Sequence, residues 1–188
     1  VSSFALGQSS KASANRSSAI GYYSWANGSQ SLALGVGAKT DSQNAIAMGT
    51  AASATEWNAI AIGSDASANY SNSLSIGPGA VTGASDAIAI GHNASTGSGR
   101  AGIAIGLNSS AESLGALVVG RDASANASQA TAIGSRSIAK AVGSSSIGYY
   151  AISNGTSATA AGTYSTARGS KSTAVGYYSI ASGENSLA

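Results

Sequence analysis

The chain contains no cysteine, one proline and one histidine, and only 9% of its 188 residues are charged. Each scarcity closes a route. Without cysteine there is no disulfide framework and no thiolate-metal site, whatever the compartment. With His92 alone, the histidine sets that hold catalytic metals cannot be assembled, and no cofactor is expected. Nine basic and seven acidic side chains, scattered singly, leave a formal charge of +2 and none of the clustered Lys and Arg of a nucleic-acid surface. No signal or lipidation motif and no apolar run of about 18 residues occurs, so residues 1–188 are expected neither to span nor to anchor in a membrane by themselves. Leu, Ile, Val and Phe make up about 16% of the chain, a level that usually accompanies disorder. Disorder also calls for high net charge, and that is missing.

What the chain has instead is glycine, alanine and serine in strict order. Taking the glycine of "AIG" as an anchor, it recurs at Gly7, Gly21, Gly35, Gly49, Gly63, Gly77, Gly91, Gly106, Gly120, Gly134, Gly148, Gly162 and Gly176. The spacing is 14 throughout, apart from one step of 15 between Gly91 and Gly106, in "TGSGRAG". A fixed period on this scale is the mark of a repeat architecture, so the whole chain is expected to be one array of about thirteen coils and a single domain over 1–188.

Within each unit the third and fifth residues after the anchor are small, as in Ala66 and Ala68 after Gly63. The second and fourth residues before it are almost all Ala or Ser, with Val118 and Gly102 as exceptions. The first and third residues before it are large and apolar. That alternation over five residues is the period-2 signature of a strand, and frequent glycine without a 3.6-residue pattern argues against helix. Each coil therefore holds two short strands and two turns. One turn follows the anchor glycine, and the other is a polar stretch such as "NGSQ" (27 to 30) or "SNGT" (153 to 156). Coils stacked as parallel strands about 4.8 Å apart make an all-β solenoid roughly 60 Å long.

The parity of the pattern has a consequence. If the small residues of both strands face each other, the interior is a thin layer of Ala, Ser and Thr, and the large residues lie outside. Twenty of the 26 slots one and three before the anchors are large and apolar. They form a stripe that includes Leu34, Ile46, Met48, Ile60, Ile62, Leu74, Ile76, Ile88, Ile90, Ile103, Ile105, Leu117, Val119 and Ile133. At roughly 1.5 to 3 kcal/mol for each such side chain buried, leaving the stripe in water is unfavourable, and a closed homo-oligomer that turns it toward a common axis is the simplest remedy. The opposite parity, with the large residues inside, leaves small residues to cover the outside.

The segments "NAIAIGSDASA" (58 to 68), "DAIAIGHNAST" (86 to 96) and "STAVGYYSIASGENS" (172 to 186) resemble the head repeat of the YadA-like trimeric autotransporter adhesins of Gram-negative bacteria. The likeness covers essentially the whole chain. It implies a left-handed parallel β-roll assembled as a homotrimer, with the stripe at the trimer interface. It further implies display on the bacterial surface, anchored in the outer membrane through a stalk and a C-terminal β-barrel that lie outside these residues. The implied partners are host cells, extracellular-matrix proteins, other bacteria or abiotic surfaces.

Departures from the pattern carry their own expectations. The stripe thins at Thr131, Ser145, Thr159, Ala161 and Thr173, with Ser18 as an earlier exception, so looser packing is expected between about residues 131 and 175. Val118 occupies a lumen slot and needs local relief, for which Gly115 and Gly120 are candidates. "GSGRAG" (97 to 102) matches the G-x-G-x-x-G dinucleotide fingerprint, with Asp122 twenty residues on, but it falls at the extra residue and no helix is expected after it. It reads as a bulged turn. His92 and the carboxylates Glu56, Asp65, Asp86 and Asp122 sit in turns, where solubility is their expected role.

The rare aromatics cluster in the same turns: Tyr22, Tyr23, Tyr149, Tyr150, Tyr164, Tyr177 and Tyr178 directly follow anchors. Trp25 lies on the outward side of its strand, and Trp57 and Tyr70 in the returning turn. These rings either cap coils or pack across a subunit boundary, or they serve as anchor points for a partner. Two other functions fit the pattern less well than adhesion. An ice- or surface-binding solenoid needs a regular rank, whereas the fourth residue after the anchor runs Lys11, Trp25, Lys39, Ser53, Ser67, Val81. A solenoid acyltransferase is disfavoured by the period and by the lack of a usable histidine, so no enzyme activity is expected.

Overall fold

The computed structural model describes residues 2–188. The chain is a parallel β-solenoid of thirteen turns with about 14 residues in each, and every turn contributes one three-residue and one two-residue strand. The described residues divide into two compact units, 2–93 and 94–188. In the first, the three-residue strands run in the order Phe4–Leu6, Ser18–Ile20, Leu32–Leu34, Ile46–Met48, Ile60–Ile62, Leu74–Ile76, Ile88–Ile90. In the second they run Ile103–Ile105, Leu117–Val119, Thr131–Ile133, Ser145–Ile147, Thr159–Ala161, Thr173–Val175. Register is fixed to one repeat: Leu74 pairs with Ile60, Ser75 with Ala61 and Ile76 with Ile62. Like therefore stacks on like.

The core is the narrow lumen between the two strand types. Around the coil of Gly63, Ala59, Ala61, Ala66 and Ala68 are fully buried, while Ile60 and Ile62 between them keep part of their surface exposed. This excludes the opposite parity. Two backbones packed this closely leave room for nothing much larger than alanine, and an isoleucine there would force them apart. Serine substitutes for alanine at little cost because it satisfies its own hydroxyl. Ser24 and Ser137 donate to the carbonyls of Gly21 and Gly134 at 3.0 and 2.8 Å, and Ser31 and Ser172 to those of Gly28 and Gly169 at 2.7 Å. Hydroxyls also pair across the lumen, as between Ser146 and Ser153 at 2.6 Å and from Thr40 to Ser31 at 3.0 Å. Val118 is the largest fully buried side chain, and the buried residues clustered with it are all alanines, among them Ala104, Ala111, Ala125 and Ala132. Its room comes from those minimal neighbours.

Because each alanine buries little apolar surface, the backbone ladder carries much of the cohesion. Its rungs continue through the turns: Gly63 N–H donates to the Met48 carbonyl and Gly77 N–H to that of Ile62, both at 2.8 Å. The anchor glycine is required on two grounds, seen at Gly63. Its φ is +135°, and a Cβ there would lie 2.5 Å from the carbonyl oxygen of Gly77 in the next coil. No other residue fits.

The single longer turn is located by register. Ser95 pairs with Ser110, fifteen residues on, and the extra residue is absorbed between the strands Ser95–Thr96 and Ile103–Ile105. There a Cβ on Gly99 would lie 2.1 Å from the Leu114 amide nitrogen, so this glycine lets the longer turn lie against the coil that follows. The "GSGRAG" sequence is a turn with no helix after it, and its glycines answer to packing.

Candidate functional site

Three surfaces are built by the repeat. The first is the outer side of the three-residue strands. In the first unit Leu32, Leu34, Ile46, Met48, Ile60, Ile62, Leu74, Ile76, Ile88 and Ile90 all point outward, half-buried by the neighbours stacked beside them in register. In the second unit Ile103, Leu117 and Ile133 are half-buried in the same way, while Ile105 and Val119 are exposed. These side chains cover one another sideways only. Their outer surfaces stay open, and the rank turns polar at Thr131, Ser145, Thr159 and Thr173.

The second surface is the outer side of the two-residue strands, four residues after each anchor, with the residue two further on beside it. In the first unit this face is mostly polar, with Trp25 and Val81 as its exposed apolar members. Lys39 pairs with Asp41 at 2.7 Å, Asn27 donates to Asp41 at 2.9 Å, and Ser53 donates to Asn69 at 2.9 Å. In the second unit it begins with Ser110 beside Glu112 and Ser124 bonded to Asn126, then changes to Ile138, Ile152, Thr166 and Ile180. The sequence reading traced this position only as far as Val81 and so missed the isoleucines. Reading the fourth residue after all thirteen anchors would have found them.

The third surface is a pair of side-chain ladders at the turns. Two positions in every coil take the left-handed conformation, one two residues after the anchor and one nine after it, or ten in the longer coil. Such a φ costs most residues roughly 1–2 kcal/mol and Asn or Asp less. In the first unit the later position carries Asn44, Asn58, Asn72 and Asp86. Each amide donates to the next, at 3.1, 3.1 and 3.0 Å, so Asp86 accepts at the end of an asparagine ladder. In the second unit the earlier position carries Asn108, Asp122, Arg136, Tyr150, Tyr164 and Tyr178. Asn108 donates to Asp122 at 3.0 Å, and Asp122 meets Arg136 and Arg121 at 3.7 and 3.6 Å. Arg136 donates to the Tyr150 hydroxyl and lies 5.2 Å from its ring centroid. Asp86 and Asp122 are thus ladder members as well as solvated turn residues.

The tyrosines continue that ladder. Tyr150, Tyr164 and Tyr178 stack face to face, with centroids 5.3 and 4.8 Å apart, while Tyr149 and Tyr177 stand edge-on to Tyr150 and Tyr178 at 4.6 and 4.5 Å. Identical backbone geometry one coil apart superposes the rings. Crowding by its neighbours, then the nearness of Tyr149, raises the Tyr164 phenol above its ordinary range, and Tyr150 holds Arg136 still more firmly protonated. In the first unit Tyr22 and Tyr23 form a single edge-on pair at 4.6 Å, and Trp25, Trp57 and Tyr70 are exposed. These contacts join coils of one chain, whereas the sequence offered coil capping and subunit packing together, against contact with a partner, without deciding between them.

His92, Glu56 and Asp65 are exposed turn residues. Among the described residues no three His, Cys, Asp or Glu side chains converge to hold a metal ion, and no pocket opens.

A repeat protein with a filled lumen and outward-facing ranks in register is a surface-presenting solenoid. The family model for the YadA head domain repeat (2 copies) matches residues 1–24, 26–52, 41–66, 54–80, 71–94, 111–137, 125–151, 146–172 and 167–188. The chain belongs to this family of extracellular adhesin heads. The longer turn falls in the stretch that the matches leave out, residues 95–110. No curated protein matches the chain.

Proposed function

We propose that residues 1–188 are one head domain of a trimeric surface adhesin, a left-handed β-roll in which three copies turn the outer faces of their three-residue strands toward a common axis. The head is non-catalytic and attaches the cell to host cells, matrix proteins, other bacteria or abiotic surfaces. It is held at the Gram-negative outer membrane through a C-terminal domain beyond these residues. One observation carries the reading: the rank of Ile, Leu and Met on that face is ordered, in register, and open on its outer side. Full burial of such a side chain is worth roughly 1.5–3 kcal/mol, and the part still open in each would be gained on assembly. Light scattering on the purified chain is the test. The wild type is expected at three times the chain mass, and Ile62→Asp with Ile90→Asp at the monomer mass or as aggregate. A monomeric wild type overturns the trimer. A binding screen of the same sample against matrix proteins, cells and bare surfaces tests adhesion.

A further inference from the structure

From Ala123 to Gly183 the chain has no acidic residue, but it has Arg136, Lys140, Arg168 and Lys171. The same stretch is where the outer side of the two-residue strands turns aliphatic at Ile138, Ile152 and Ile180, the last half exposed at 50%. Lys140 and Arg168 stand two residues beyond Ile138 and Thr166. That offset places side chains together on this face, as the contacts of Lys39 with Asp41 and of Asn69 with Ser67 demonstrate. Lys140, Arg168 and Lys171 are exposed and make no ion pair among the described residues. The face is therefore an apolar rank flanked by Lys140 and Arg168, with Lys171 in the turn beyond them and the tyrosine ladder on the strand's other flank.

We propose that this face, residues 138–180, docks an acidic amphipathic helix of a partner polypeptide, laid across the coils. The charge complement requires Asp or Glu beside the apolar edge. The spacing favours a helix: coils repeat every roughly 4.8 Å, close to the pitch of about 5.4 Å, whereas alternate residues of a strand lie about 6.6 Å apart. Three coil steps, Ile138 to Ile180, span roughly 14 Å, or about ten helical residues at 1.5 Å each. A sulfated glycan would use the cations but leave the isoleucines uncovered. The biological role of the contact rests on the adhesin reading, while the contact itself is measurable on the purified chain.

The probe is a fluorescent helical peptide with Leu at i, i+4 spacing flanked by Glu, read by anisotropy at rising salt. Three controls accompany it: the same composition with Leu scrambled, the same helix with Lys for Glu, and heparin. Lys140→Glu with Arg168→Glu, and separately Ile152→Ser with Ile180→Ser, are each expected to weaken binding at least tenfold with circular dichroism and melting unchanged. Salt should weaken it further. No binding, equal binding of the scrambled peptide, or indifference to either variant pair overturns the proposal. Heparin binding that ignores the isoleucine pair while the peptide fails would assign the face to polyanions. A fall in assembly mass on Ile152→Ser with Ile180→Ser would assign it to a second copy. If the wild type keeps its trimer mass and the peptide does not bind, this proposal fails and the adhesin reading stands.

Discussion

Residues 2–93 and 94–188 share one frame and carry opposite decoration. The first unit has three basic side chains (Lys11, Arg16, Lys39) against four acidic ones (Asp41, Glu56, Asp65, Asp86). The second has six (Arg100, Arg121, Arg136, Lys140, Arg168, Lys171) against three (Glu112, Asp122, Glu184). The first keeps a dense aliphatic rank on its three-residue strands and an asparagine ladder at its turns. The second lets one row of that rank, three residues before the anchor, lapse into threonine and serine from Thr131 onward while Ile133, Ile147 and Val175 continue the other, places isoleucine on its other face and stacks tyrosine at its turns. Meanwhile the lumen barely changes. The difference teaches where the fold is rigid and where it is free: a slot that faces inward is held to small residues, with Val118 the largest, by the distance between two backbones, while outward slots answer only to what they meet.

The largest effect is expected where that freedom is least. Ala61→Leu should destabilise by about 1–3 kcal/mol through overpacking, since Ala61 is fully buried and stacked on Ala47 and Ser75. The same change at Ala132, stacked on Val118, should cost at least as much, because the valine has already used the local space. Val118→Ala, which restores the common lumen residue, should cost less than either. Thermal melts of the three variants decide the matter, and an unchanged melting temperature for Ala61→Leu would argue against a tightly filled lumen.

Next in size are the ladders, which separate the two units by mechanism. Asn58→Ala removes an amide that donates to Asn72 and accepts from Asn44, and it places alanine at a φ of +56°. The expected loss is about 1–2 kcal/mol. Tyr164→Asn keeps a residue suited to its φ of +59° but deletes a ring stacked on both sides. Each stacked pair is worth roughly 0.5–1.5 kcal/mol beyond burial. Urea melts should show both losses, and Asn58→Tyr, which has no ring to meet at Asn44 or Asn72, should fail to recover the first. If Asn58→Tyr proves as stable as the wild type, ladder identity matters less than the shared backbone.

Why the frame was readable and the decoration was not follows from the same physics. Thirteen glycines in register expose strand parity, coil number and lumen, because an anchor glycine with a coil stacked beyond it is dictated by contact with that coil, as at Gly63. The bulged turn was also legible, since one extra residue shifts the period once. The ladders were not. Contact between Asn58 and Asn72, or Tyr164 and Tyr178, needs the left-handed turn to aim both side chains alike, and periodicity alone does not reveal φ. Asp122 looked like an isolated turn carboxylate for the same reason, though its partners Asn108 and Arg136 stand fourteen residues either side.

The smallest expected effect tests whether the tyrosine stack is a cohesive part of the second unit or a set of rings that merely lie near each other. Within the stack, desolvation first and Tyr149 second raise the Tyr164 phenol above its unfolded value of 10.0. A folded value above the unfolded one means that the folded chain keeps this proton where the unfolded chain has released it. The stabilising contribution is therefore whole below about pH 10 and is lost as pH rises through the folded value. Tyr164→Phe has nothing to lose there. Its melting temperature should fall less steeply than that of the wild type between about pH 9 and 11, and phenolate absorbance of the wild type should show one tyrosine titrating late. Superimposable pH profiles would mean that the Tyr164 hydroxyl is as solvated folded as unfolded, so that the stack packs the faces of the ring and leaves its phenol in water.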